Sequence, residues 1–209
     1  MSNLNSNFDQ HLIVAICGSL RKPSYTRMAL DIALEGAKEI NSKTQLINLR
    51  DFNLVFCDGK ENEENYPQDV FKLRLLVKEA KGIILGTPEY HGNMSGVLKN
   101  ALDLMGFDEL EGKIIGLVGV SAGILGGIEA LNTLRNIGRA LHAWVIPEQV
   151  AIPHAHRVFN TNGKLNDNNL RDRLMELGRQ VAKFAFLHNS SKAWDFLKDW
   201  QNGTPNPGG

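Results

Sequence analysis

The chain is poor in cysteine: Cys17 and Cys57 are the only two among 209 residues, and they fall in neither a metal-ligand nor a dithiol spacing. A disulfide framework and a cysteine-built metal centre are thereby excluded, and the expected setting is a reducing cytoplasm. Cys17 closes an apolar run and reads as a small buried filler. No apolar run is long enough to span a bilayer, and Met1 to Gln10 lacks the charged-then-apolar order of a signal peptide. An excess of charge is also missing. Lys plus Arg and Asp plus Glu number 23 each, which argues against nucleic acid as a partner. Of the Gly-x-Gly-x-x-Gly dinucleotide fingerprint only Gly18 is present, and no Gly-Lys-Ser/Thr ends a phosphate loop there.

What the chain does carry is a regular alternation. Strand candidates are Leu12–Cys17, Gln45–Leu49, Gly82–Thr87, Ile114–Val120 and His142–Val150. Helical periodicity covers Thr26–Asn41, Gln68–Lys81, Ser95–Gly106, Gly126–Arg139 and Asn168–Leu187. Several of the strands are continuous apolar runs, as expected of strands covered on both faces. Five such βα units predict an α/β protein with a parallel, doubly wound sheet. The length suits one domain, residues 1–190, followed by a partly disordered tail, 191–209. Trp194, Leu197 and Trp200 form a short apolar stripe in that tail.

In an open parallel sheet the ligand crevice lies beyond the carboxyl ends of the strands. Three loops there have unusual composition. The first, Gly18 to Thr26, offers Ser19, Arg21, Ser24 and Thr26 where a strand turns into a helix. Helix N–H groups, hydroxyls and a guanidinium suit a terminal phosphate, although Ser24 or Thr26 capping an ordinary helix fits the same residues. The second loop, Gly86 to Gly96, holds Pro88, Glu89, Tyr90, His91 and Gly92, a shape for a flat polar aromatic ligand, with Asn93 and Ser95 as further hydrogen-bonding groups. Glu89 is either a ligand contact or a brace behind the ligand, and His91 either an acid–base group or a surface residue. In the third, Ser121-Ala122-Gly123 and Gly126-Gly127 allow a planar group close to the backbone, or form a tight βα turn. His154 and His156 are spaced to share a strand face, but no third metal ligand accompanies them.

Together the motifs Gly18-Ser19-Leu20-Arg21-x-x-Ser24, Thr87-Pro88-Glu89-Tyr90-His91-Gly92, Gly96-Val97-Leu98-Lys99-Asn100-Ala101-Leu102-Asp103 and Ser121-x-Gly123-x-x-Gly126-Gly127 resemble the NADPH-dependent FMN reductases, relatives of azoreductases, chromate reductases and quinone reductases. The resemblance implies a flavodoxin-like three-layer sandwich with a five-stranded sheet in the order 2-1-3-4-5. It implies non-covalent FMN, with its phosphate on Ser19, Arg21, Ser24, Tyr25 and Thr26. The ring would lie between Pro88, Glu89, Tyr90, His91 and Gly92 on one side and Ser121, Ala122 and Gly123 on the other. No metal and no catalytic side chain are expected, since the flavin carries the chemistry. NADPH or NADH would be the reductant, and a quinone, azo compound, metal oxyanion or flavin the acceptor. A homodimer or homotetramer without a membrane partner is implied, with the Val97–Asp103 segment resembling a dimerisation helix and Pro153–His156 near a subunit contact or the site's rim. The alternatives are a non-enzymatic electron carrier and a flavin-binding interaction protein. Many members carry Asn where this chain has His91, and Asn where it has Thr26.

Overall fold

The computed structural model describes residues 11–59, 65–160 and 162–190. The proposed tail and its apolar stripe, like Met1 to Gln10, lie outside the described residues. In chain order the elements are β1 (Leu12–Cys17), α1 (Tyr25–Glu39), β2 (Lys43–Asn48), a 3-10 turn (Leu49–Asp51), α2 (Gln68–Glu79), β3 (Gly82–Tyr90), β4 (Asn93–Met94), α3 (Gly96–Asp103), α4 (Phe107–Leu110), β5 (Ile114–Val120), α5 (Ile128–Ala140), β6 (Trp144–Ile152), α6 (Ala155–Val158) and α7 (Asn168–Asn189).

Five of the strands are parallel in the order β2-β1-β3-β5-β6, the expected 2-1-3-4-5 arrangement. A sixth, β4, pairs antiparallel with the end of β3. The central strands β1 and β5 are apolar throughout because both faces are covered. Ile13, Ala15 and Cys17 pack with α1 and α7, while Val14 and Ile16 pack with α2, α3 and α5.

The helices α1 and α7 cross with almost no side chain between them. A Cβ on Gly36 would stand 2.0 Å from the Met175 carbonyl oxygen, and one on Gly178 would stand 1.8 Å from that of Ala33. Nothing in the helical periodicity announced this crossing.

The structure corrects several boundaries. β3 continues to Tyr90, whereas the run of apolar residues stopped at Thr87. The last strand begins at Trp144 rather than His142, because His142 is in a left-handed turn (φ 56°) behind α5. This edge strand carries Pro147 at a register shift against β5, and Arg135 donates to the carbonyls of Ile146 and Pro147 there. Gly106 ends no helix: α3 stops at Asp103, and Gly106 precedes the short α4.

Candidate functional site

The first loop leaves β1 through Gly18, whose N–H donates to the Gly86 carbonyl and whose carbonyl accepts from the Ser95 hydroxyl at 2.6 Å. Beneath it, burial pushes the Cys17 thiol up, so Cys17 is a neutral thiol under the loop rather than a nucleophile. Ser24 caps α1, its hydroxyl accepting from the Arg27 N–H at 3.2 Å, as a helix-capping serine should. Thr26 is buried in the first turn and lines the cavity described below. Among the described residues the N–H groups of Tyr25 and Thr26 meet no protein acceptor, and the first turn of α1 holds no acidic side chain. The ring of Tyr25 turns away and stacks on Phe159, with centroids 5.4 Å apart.

The second loop is a hairpin. His91 (φ 52°) and Gly92 (φ 74°) occupy its two central positions, both left-handed, between the paired residues Tyr90 and Asn93. Two positive φ values in a two-residue turn describe a type I′ hairpin, a place where Asn, Asp and Gly are favoured. His91 therefore stands at an exposed turn, and neither His91 nor Gly92 lines the cavity. Ser95 is not available to a ligand. It is buried, caps α3 by accepting from Leu98, donates to Gly18, and its own N–H donates to the Thr87 hydroxyl, which in turn donates to the Pro88 carbonyl. This buried chain ties the first two loops together.

The third loop is held from β6. Ser121 N–H donates to Ile152, Ala155 N–H donates to Ser121, and His154 N–H donates to Gly123. The Gly123 N–H folds back on the Ser121 hydroxyl, and the His154 ring nitrogen Nδ1 lies 3.1 Å from the Ala122 carbonyl. Among the described residues the Ala122 N–H has no protein acceptor.

All three loops meet at one cavity of about 600 Å³. Of the expected residues, Ser19, Arg21, Tyr25, Thr26, Pro88, Glu89, Tyr90, Ser121 and Ala122 line it, whereas Ser24, His91, Gly92 and Gly123 stand behind or beside the wall. Ala155 and His156, from the segment expected at a subunit contact or the site's rim, also line it, and Lys22, Pro23 and Val120 line it without having been expected. Among the described residues no group of three His, Cys, Asp or Glu could hold a metal ion.

The cavity wall carries charge of both signs. The open N-terminus of α1, Arg21 and Lys22 line it, with the Arg21 guanidinium 5.8 Å over the Tyr90 ring. Arg50 donates to the Leu20 carbonyl behind that loop. The Glu89 carboxylate, also on the wall, accepts from the N–H groups of Glu129 and Ala130 at the start of α5. An anion is favoured at the α1 N-terminus and opposed beside Glu89.

A family model described as NADPH-dependent FMN reductase matches residues 12–157. An NADPH azoreductase of Bacillus sp. (strain OY1-2) is 35% identical over 144 residues, 69% of this chain and 78% of the relative. The FMN-dependent NADPH-azoreductase of Staphylococcus aureus (strain USA300) is 32% identical over 180 residues, 84% of this chain and 94% of its own. The fold is shared with FerB, a flavoenzyme NAD(P)H:(acceptor) oxidoreductase from Paracoccus denitrificans. That likeness has a TM-score of 0.69 at 20% identity, over 85% of this chain and 98% of the other.

Proposed function

The chain belongs to the NADPH-dependent FMN reductase family, and from that premise we propose that the cavity shared by the three loops is its FMN site. It is an FMN-dependent NAD(P)H oxidoreductase. One observation supports the cavity as the place: its wall joins an open helix N-terminus with Arg21 and Lys22 to the uncharged residues Pro88, Tyr90, Ser121 and Ala122. FMN has the matching asymmetry, with a phosphate at one end and a planar ring at the other.

In this reading the α1 N-terminus holds the phosphate through the Tyr25 and Thr26 N–H groups, the Ser19 and Thr26 hydroxyls and Arg21. Ser24 contributes as the cap that fixes the helix end. Pro88, Tyr90, Ser121 and Ala122 form the ring walls, and the free Ala122 N–H offers a donor to the ring's polar edge. His91, Gly92 and Gly123 shape those walls from outside. When bound, FMN supplies the ability to take a hydride from NAD(P)H and return electrons to an acceptor. The protein's share is to bind, to orient the ring and to leave one side of it open.

The acceptor range we propose is azo compounds, quinones, metal oxyanions and free flavin. The proposal includes a cytoplasmic setting, where NAD(P)H is available, and a homodimer or homotetramer. Among the described residues no helix is long and apolar enough to cross a membrane. In favour of association, Phe56 is 86% exposed on a loop that Asn100 of α3 clamps through both the Val55 carbonyl and the Cys57 N–H. Sedimentation of the purified protein tests this, and a monomer at micromolar concentration refutes it.

The test of the main reading is a titration with FMN followed by turnover. The protein should take up FMN, show the two visible bands of oxidised flavin, and then oxidise NADPH or NADH in the presence of an azo dye. Failure to bind FMN refutes the site.

A further inference from the structure

The start of α5 cannot be capped by its own residues. The N-cap position is Gly127, at φ 93°, with no side chain to offer. A side chain there is excluded as well, since a Cβ on Gly127 would meet Val120 N at 3.0 Å and the Gly119 backbone at 3.1 Å. The four N–H groups that a helix leaves open at its start must nevertheless be satisfied. Ile128 donates to the Leu125 carbonyl, and the regular helical bonds begin with Leu131, which donates to Gly127. Between them, the N–H groups of Glu129 and Ala130 both donate to one oxygen of Glu89, at 3.1 and 3.3 Å. Glu89 lies 40 residues earlier in the sequence, at the end of β3, on the wall of the cavity.

We propose that Glu89 is a positioning residue that caps α5 across the cavity and thereby sets the distance between the second and third loops. The inference rests on the reading of this cavity as the FMN site. Two physical consequences follow. First, β3 and β5 are register partners as far as Pro88 and Val120, and Glu89 adds a second tie, from the end of β3 to the helix that follows the third loop, which holds the far side of that loop. Second, the carboxylate occupies the anion-favouring end of α5, which is thereby closed to a phosphate, whereas the end of α1 on the cavity wall stays open.

The experiment compares FMN with riboflavin, which has the same ring and no phosphate, on the full-length protein. Glu89→Ala should weaken both flavins alike, by about tenfold for the loss of a helix cap, leaving their affinity ratio at the wild-type value. The visible spectrum of the bound flavin should change with it, because the ring walls shift. Glu89→Gln keeps an oxygen that can accept from the two N–H groups, and should recover most of the affinity and the wild-type spectrum. This variant also guards against a folding defect in Glu89→Ala. Arg21→Ala should do the opposite, weakening FMN and sparing riboflavin. Unchanged affinities and spectrum in Glu89→Ala would overturn the proposal, as would a fall confined to FMN. If wild-type protein binds neither flavin, it is the cavity's assignment that fails and not the role of Glu89 as a cap.

Discussion

The N-terminus of α1 lies on the cavity wall, that of α5 is closed by a residue of the same wall, Glu89, and the two are finished in opposite ways. α1 is capped by the neutral hydroxyl of Ser24, keeps two N–H groups unpaired and has Arg21 beside it. α5 has a glycine at its cap position, Glu129 in its first turn, and the Glu89 carboxylate on its N–H groups. Both ends carry the same partial positive charge, so the difference lies wholly in what the neighbouring chain supplies. One helix end is left as a receptor for an anion, and the other is made into a wall. Two similar βα turns therefore do different work, and the choice between them is electrostatic.

The largest effect should come from making the first end like the second. Ser24→Asp preserves a good cap but adds a carboxylate at α1. Two like charges about 5 Å apart at an effective dielectric near 20 repel by about 3 kcal/mol, so FMN affinity should fall roughly a hundredfold while thermal stability holds. An unchanged dissociation constant, measured by quenching of flavin fluorescence, would remove the phosphate from α1. Arg21→Ala comes next. Loss of a charged hydrogen bond costs about 1.5–3 kcal/mol, so FMN should bind at least tenfold more weakly, with riboflavin as the control.

Ser95→Ala probes the tie between the two loops that flank α1's end. It leaves the buried Gly18 carbonyl and the Leu98 N–H without their partner. Unfolding in urea should show a loss of about 2 kcal/mol, and the two flavins should weaken equally. A loss of FMN affinity alone would mean that Ser95 reaches the phosphate.

The smallest effect concerns a helix end of the other polarity. Lys113 donates to the Lys78 and Ala80 carbonyls at the close of α2, a cation at a C-terminus. Burial first, then the neighbouring Lys81 and Lys78, lower its pKa from 10.5 to about 8. The folded state therefore binds fewer protons than the unfolded state between about pH 8 and 10.5, and Lys113's contribution should favour folding more as pH rises through that window. Comparing the pH dependence of urea unfolding with that of Lys113→Met isolates it. A Lys113→Met curve parallel to wild type would show that Lys113 titrates as in the unfolded chain.

Much of this architecture was legible. The runs Leu12–Cys17 and Ile114–Val120 match β1 and β5 to the residue, because a strand buried on both faces needs an uninterrupted apolar segment. The helical period from Ser95 was legible too, and Ser95 caps that helix through a local contact with the residues that follow. The hairpin was missed because His91 carries a left-handed conformation less commonly than the Asn-Gly pair that signals such turns. Gly36 and Gly178 gave no sign of their roles, since each is defined by the backbone of a distant helix. His156 reached the cavity wall only through the path of β6 and α6.

The sequence by itself determined the alternation of strands and helices, the unusual composition of the three loops that meet at the cavity, and the cationic character of the first. Those features depend on side chains within a few residues of one another, where periodicity and capping act. Only the tertiary structure decided that Glu89 belongs to α5 and that α1's end stays open. A helix can take its cap from any chain that passes its N-terminus. The carboxylate that closes α5 stands 40 residues away in sequence and a hydrogen bond away in space.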